Sequence, residues 1–207
     1  MWKYPNSFFK HNDLHNLDVG GYPIEQSWWS RKYEYPWAIT HMEAGLVVAD
    51  MGCGWHERPL KHALGDLAGH LYCVDSHPEV TKLPLPQNAE FIVSDMSSTP
   101  IPETSLDRVF CISVLEETGD GGVEKCLKEF KRVIKPAGLI VLTFDVWYDR
   151  ERPIGKYPGV DIASFYFMTH DLGLEFVGGL DFGIADALFH EEFNLACYHC
   201  VLKNENS

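Results

Sequence analysis

No apolar run in this 207-residue sequence approaches the ~18–20 residues of a membrane-spanning helix, although hydrophobic residues fill 45% of its positions. A membrane partner is therefore not expected. The opening stretch, MWKYPNSFFKHNDLHN, lacks the basic segment followed by an apolar core that marks a secretory signal, so the expected location is cytoplasmic. Cysteine shows no spacing pattern. Cys53, Cys73, Cys111, Cys126, Cys197 and Cys200 are scattered, five of them in or beside apolar runs. That fits buried, reduced thiols rather than a disulfide framework. Basic residues are scarce: 17 Lys and Arg stand against 30 Asp and Glu, a formal charge of −13. Phosphate backbones are repelled on average, so a nucleic-acid partner is not expected. Internal repeats and low-complexity tracts are missing too. The length suits one domain with a sizeable core and is short for two.

What is present falls into two parts. The first forty residues are rich in aromatics and turn formers, and Trp29, Tyr33 and Trp37 recur every four positions, predicting a helix within Pro23–His41. Residues 1–42 are read as an aromatic-rich cap on a main body spanning 43–207. There, short apolar runs alternate with helical stretches. The runs are GLVVAD (45–50), HLYCVD (70–75), EFIVSD (90–95), LDRVFCISV (106–114), GLIVLTFDV (138–146), LEFVGGL (174–180) and FNLACYHCVL (193–202). Helices are expected near 57–68, 121–135 and 161–172, the second carrying Val123, Leu127, Phe130, Val133 and Ile134 at helical spacing before Pro136 and Gly138. Continuous apolar strands alternating with helices predict an α/β fold, a doubly wound and mostly parallel seven-stranded sheet. The last two runs have no long helix between them, so an antiparallel edge strand is expected.

Three consecutive runs end in an aspartate: Asp50, Asp75 and Asp95. An open α/β sheet binds ligands beyond the carboxyl ends of its strands, and an unpaired carboxylate there favours water or a ligand over burial. After Asp50, Gly52 and Gly54 flank Cys53, freeing the backbone to turn and to approach a ligand. The next helix is expected to begin near Trp55–Glu57 and present its free N–H groups. A dinucleotide fingerprint needs a third glycine, which this loop lacks. A nucleoside with an amino-acid tail is better matched than a pyrophosphate, with an acid near Asp50 for the ammonium and Asp75 for the ribose hydroxyls.

The order D-x-G-C-G, then VDSH, then SDMSSTPIPETSLDRVFCISVLEE, then CLKEFKRVIKPAGLIVLTF resembles a class I S-adenosylmethionine-dependent methyltransferase. The resemblance covers about residues 45–146 and is similar, more loosely, to small methyltransferases of glycan and polysaccharide biosynthesis. It implies S-adenosylmethionine as cofactor, with S-adenosylhomocysteine as product, and no metal. Carried over by position, Asp50, Gly52, Cys53 and Gly54 line the methionine part, and Asp75 takes the ribose hydroxyls. Ser76 or His77 neighbours the adenine. Asp95 faces the adenine amino group, Met96 lies against the ring, and Ser113 sits near the sulfonium. Two departures stand out. His56 or Glu57 replaces the third glycine, and Glu117 follows Glu116 where the family often carries a histidine.

Methyl transfer is an in-line displacement that requires alignment and exclusion of water, and a hydroxyl acceptor also needs a general base. Base candidates beyond the carboxyl edge are Asp145 with the following WYDRER loop, His190 within FHEEF (189–193), and His41. His190, Glu191 and Glu192 also read as a solvated turn, and Trp28, Trp29, Tyr35 and Trp37 as core rather than a roof over the ligand. The connection at about 146–173, with Trp147, Tyr148, Tyr157, Phe165, Tyr166 and Phe167, is where an acceptor-specific insert belongs. The expected partner is a small polar acceptor, sugar-bearing for instance, and a homodimer stays open. CYHC (197–200) has only superficial metal spacing, because Cys200 would point away from Cys197 and His199 in a strand. Two rival readings remain: a cofactor-binding module without catalysis, and an NAD-dependent oxidoreductase, against which the missing third glycine counts.

Overall fold

The computed structural model describes residues 6–56, 58–148 and 159–204. In chain order the elements are β1 (Ser7–Phe8), β2 (Asp18–Val19), β3 (Tyr22–Pro23), α1 (Arg31–Ile39), β4 (Val47–Met51), α2 (Pro59–Leu67), β5 (His70–Asp75) and β6 (Ala89–Val93). They continue with β7 (Leu106–Ile112), α3 (Gly122–Val133), β8 (Ile134–Trp147), α4 (Ile162–Asp171), β9 (Leu174–Phe176), β10 (Phe189–His190) and β11 (Leu195–Asn204). The main sheet runs β1-β11-β8-β7-β4-β5-β6. Strands β4 to β8 are mutually parallel. Strand order reverses between β4 and β7, so the crevice over their carboxyl ends is where this architecture binds ligands.

Each of the seven apolar runs forms a strand: β4, β5, β6, β7, β8, β9 and β11. Their lack of alternation has a direct cause. Successive residues such as Val48 and Ala49, or Val109 and Phe110, are fully buried on opposite faces. One face packs on α3 and α4 through Leu127, Phe130 and Phe165, the other on α1 and α2 through Trp37, Leu60 and Leu64. The antiparallel strand is β11, beside β8. Its outer side is covered in turn by β10, β1 and β9. All six cysteines are buried and free. Cys197 lies in the α1-side core and Cys200 in the opposite one. No described helix is long and apolar enough to cross a membrane.

The N-terminal segment is less helical than its aromatic spacing predicts. The helix occupies only Arg31–Ile39, after a small β2–β3 hairpin and a turn in which Trp28 N–H donates to the Glu25 carbonyl (3.1 Å). Helix α1 carries Pro36 inside it, and a proline cannot donate to the carbonyl four residues back. That carbonyl, on Lys32, instead accepts from Asn16 N–H at 2.9 Å. Trp37 faces inward, fully buried against Phe9 and His199. His41 is not beyond the carboxyl edge. It follows α1 at the amino edge, where its carbonyl accepts from Arg108 Nε (3.1 Å), and Arg108 pairs in register with Val48 near the start of β4. Burial, with Arg108 alongside, depresses its imidazole to about 4, so it stays neutral and packs on Trp37. The helix runs away from the site, which carries His41 with it.

One charged residue ties α1 to the sheet. Glu34 is fully buried, and its Oε1 accepts from Ser113 Oγ beyond β7 (2.5 Å), Thr143 Oγ1 on β8 (2.5 Å) and Cys197 Sγ on β11 (3.2 Å). Its Oε2 accepts from Ser30 Oγ (2.9 Å) and from Arg31. Burial opposes the charge, but Arg31 and the hydroxyl donors outweigh it and hold Glu34 below the ordinary carboxylate range. Removing one partner of such a buried cluster costs about 3–5 kcal/mol. Glu34→Ala is therefore expected to lower the urea midpoint by that equivalent, with Glu34→Gln intermediate. An unchanged midpoint in equilibrium unfolding would mean that α1 docks independently of this carboxylate.

Candidate functional site

The loop after β4 is built by its neighbours. Gly52 N–H and Cys53 N–H both donate to the Val74 carbonyl, at 2.8 and 3.0 Å, drawing the chain against the end of β5. Gly52 has φ of 77°, and a Cβ there would lie 2.5 Å from Val114 Cγ1, so only glycine fits. Gly54, at φ of 82°, donates its N–H to Asp75 Oδ2 (2.9 Å), while Asp75 Oδ1 accepts from His77 N–H (2.9 Å). The acid closing β5 thus clamps the glycine loop. Helix α2 starts later than expected, at Pro59, because a proline suits the first helical position and Arg58 before it is extended. Trp55 is consequently not helical. It is half-exposed and stacks on His77, with ring centroids 4.9 Å apart and planes 20° apart. Glu57, one of the two residues in place of the third glycine, lies outside the described residues.

Above this loop opens a cavity of about 640 Å³, within the ~300–1,000 Å³ typical of small-molecule and cofactor sites. Gly52, Gly54, Asp75 and Ser76 line one side, and Asp95, Met96 and Ser113 the other. A recess of about 40 Å³ adjoins it, lined by Asp50 and Cys53 and sharing Gly52 and Ser113. All nine residues expected to hold a cofactor therefore line this cavity or the recess beside it. The three strand-end acids differ within it. Asp50 is buried, which pushes its carboxyl up to about 7; Asp75 adds to the shift and Lys61 and Arg58 oppose it. Asp75 is half-buried in its clamp. Asp95 is exposed, and its Oδ1 accepts from Ser97 N–H (2.8 Å), a bond that holds it below the ordinary range. Ser113 has φ of 49°, a conformation uncommon for a side-chain-bearing residue, fixed by N–H donation to both the carbonyl and the hydroxyl of Thr143.

Two cations belong to this site that the motif pattern does not announce. Arg31 and Arg58 line both the cavity and the recess. Arg31 is bonded to Glu34, and Arg58 lies with its guanidinium 4.8 Å from the Trp28 ring. The available signal was the R-K-Y-E spacing, which puts two opposite charges on one face of an aromatic helix. A ligand combining a nucleoside with an amino-acid tail fits these residue types: Asp50 and two guanidinium groups at the recess, Asp75 at the wider end, and a glycine that a Cβ would displace. Among the described residues no cluster of three metal-ligating side chains forms.

The catalytic candidates lie at the same edge of the sheet but outside the cavity wall. Asp145 lies two residues before the end of β8, on the face that carries Thr143, and its Oδ1 is buried without a hydrogen-bond partner. Burial and then Glu34 push its carboxyl up to about 7, with Arg31 opposing and Glu117 adding. His190 is farther out, in β10 on the far side of β11, stacked on Phe193 at 3.9 Å and edge-on to Trp29 at 5.5 Å. Glu191 and Glu192 are exposed in the turn that follows. Arg31 and Glu117, which line the cavity, act electrostatically on Asp145, whereas His190 lines neither the cavity nor the recess. The WYDRER loop is described only as far as Tyr148; residues 149–158, Tyr157 among them, lie outside the described residues.

Residues 49–142 match the family model for a methyltransferase domain. No curated protein sequence matches the chain. Solved structures share the fold at low identity. The [4+2]-cyclase SpnF superposes with a TM-score of 0.68 at 14% identity, covering 97% of this chain and 88% of that one. An S-adenosylmethionine-dependent methyltransferase from Aquifex aeolicus gives 0.60 at 20% identity, covering 84% and 92%. The geranyl diphosphate C-methyltransferase of Streptomyces coelicolor A3(2), solved with Mg2+, geranyl diphosphate and S-adenosylhomocysteine, gives 0.62 at 14%, covering 82% and 77%. The matched segment holds the glycine loop and strand-end acids, and the sheet around it has the fold of these S-adenosylmethionine-dependent methyltransferases.

Proposed function

We propose that the chain transfers a methyl group from S-adenosylmethionine to an oxygen or nitrogen of a small polar acceptor, with Asp145 as the base. The observation that carries this is the convergence of all three strand-end acids and the two-glycine loop on one cavity and its adjoining recess, whose lining residues Arg31 and Glu117 act electrostatically on Asp145. The cofactor, when bound, supplies an electrophilic methyl group on a sulfonium. The chain supplies position. Asp50 and the loop carbonyls meet the ammonium of the amino-acid tail, and Arg31 and Arg58 its carboxylate. Asp75 takes the ribose hydroxyls. Ser76, Asp95 and Met96 hold the adenine, and Ser113 marks the reacting end. Asp145, raised to about 7, is matched to taking a proton near neutral pH.

A sugar-bearing acceptor is supported by the aromatic groups at this edge: Trp29 with His190 and Phe193, and Tyr148 against Phe189 at 4.3 Å. His190, already stacked in that wall, serves there as a surface for the acceptor rather than as the base.

Two outcomes follow. The ammonium of the tail favours an ionised Asp50. Its carboxyl, raised to about 7, is mostly neutral at pH 6 and mostly charged at pH 8. Affinity for S-adenosylhomocysteine, measured by calorimetry, is expected to rise about tenfold between those values. Asp50→Asn flattens that dependence, and Asp75→Ala weakens binding throughout. Asp145→Asn is expected to leave this affinity unchanged and to lower kcat by about 10²-fold or more. A mutant retaining full turnover would remove Asp145 from the role of base.

A further inference from the structure

The cavity and the recess meet at a small set of residues. Five described residues line both: Arg31, Gly52, Arg58, Ser113 and Val114. On the methyl-transfer reading above, the recess takes the amino-acid tail of the cofactor and the cavity takes its nucleoside. The sulfur joins those two parts, so it has to pass this junction. A sulfonium is a cation, and the junction presents it with two guanidinium groups, a glycine and a valine. Only Ser113 brings a side-chain acceptor. Asp50 lines the recess alone, and Asp75, Asp95 and Glu117 line the cavity alone.

The state of that hydroxyl is fixed from behind. Ser113 Oγ donates its proton to Glu34 Oε1 (2.5 Å). Arg31, Ser30, Thr143 and Cys197 also donate to Glu34 and keep it ionised, so the shared proton stays on the serine. Turning the O–H toward a ligand would leave a buried carboxylate short of a donor, which is costly. The Ser113 N–H is spent as well, on the Thr143 carbonyl and hydroxyl. Ser113 therefore has oxygen lone pairs and no proton to offer, and a full negative charge stands one hydrogen bond behind it. The same carboxylate pairs with Arg31 and offsets one of the two guanidinium charges at the junction.

We propose that Glu34, acting through the Ser113 hydroxyl, is the counter-charge for the sulfonium and makes the site prefer S-adenosylmethionine to S-adenosylhomocysteine. This rests on the methyl-transfer reading and deepens it. The polarised C–H groups on a sulfonium meet the Ser113 oxygen as weak donors. The carboxylate beyond adds an attraction between unlike charges that a buried setting screens less than water does. Once the methyl group has left, the sulfur is neutral and both attractions fall away. Substrate is then held more tightly than product, which favours product release. Ser113 touches the cofactor in this arrangement, and Glu34 is a positioning residue.

The test is calorimetry without an acceptor, which gives the affinity for each of the two sulfur nucleosides. It is run on wild type, Ser113→Ala, Glu34→Gln and Cys197→Ala. Wild type is expected to bind S-adenosylmethionine about tenfold more tightly than S-adenosylhomocysteine. Ser113→Ala and Glu34→Gln should each bring that ratio close to one, chiefly by weakening S-adenosylmethionine. Cys197→Ala removes a different donor from Glu34, leaves the Ser113 bond in place, and should keep the wild-type ratio. General loosening of the site weakens both ligands alike and does not move the ratio. Ser113→Ala leaves Glu34 its other donors, so it decides the matter if Glu34→Gln does not fold. Equal affinities in wild type, a ratio unchanged in Ser113→Ala, or a ratio that also collapses in Cys197→Ala overturns the proposal. The second of these is what contact with the tail ammonium, common to both ligands, would give. A protein that binds neither nucleoside fails at the methyl-transfer reading instead.

Discussion

Much of this structure depends on keeping one carboxylate ionised inside the core. Glu34 reaches from the first long helix into the sheet and accepts from groups on or beside three strands, β7, β8 and β11, as well as from Ser30 and Arg31. A charge in that position is tolerable only because every lone pair is occupied and a guanidinium stands beside it. The consequence runs outward. Fixing Glu34 fixes Arg31 on the cavity wall, holds the hydroxyl of Ser113 at the end of β7, and sets Thr143 two residues before Asp145. The site is thus braced by a helix that precedes the methyltransferase segment in sequence.

The glycine loop shows a second dependence of the same kind. Its geometry comes from β5, through the Val74 carbonyl and the Asp75 carboxylate, and from Val114 across the switch point, which leaves no room for a side chain at residue 52. The loop tolerates losing its third glycine because the helix behind it starts only at Pro59. A helix beginning three residues earlier would have needed close backbone packing there. The fold alone does not decide the chemistry: a structure named as a cyclase shares it. What gives this chain its reading is the set of side chains around the cavity.

Legibility followed the range of the interactions involved. The seven strands and the helices α2, α3 and α4 were readable because their signals are local: apolar runs, helical spacing in Val123–Leu127–Phe130, and Pro136 and Gly138 just beyond. The N-terminal helix was over-read, since aromatic spacing alone could not show that the turn through Glu25–Trp28 would delay it to Arg31. His41 was misplaced for a related reason: proximity in sequence to β4 did not reveal the direction in which the helix travels. Arg31, Arg58 and Glu34 escaped notice because ordinary charged residues announce nothing until burial makes them costly.

By itself the sequence determined the architecture, the edge of the sheet that binds, and the acids and glycines that meet there. These are set by periodicity and by which residues can end a strand or turn a loop, both properties of short stretches. Tertiary structure decided the electrical character of the site. Whether Asp50, Asp75 and Asp95 are buried, clamped or exposed, and how far Asp145 is buried, depends on elements more than a hundred residues apart in some cases. Desolvation and pairing energies exist only once those elements pack, so no local pattern encodes them.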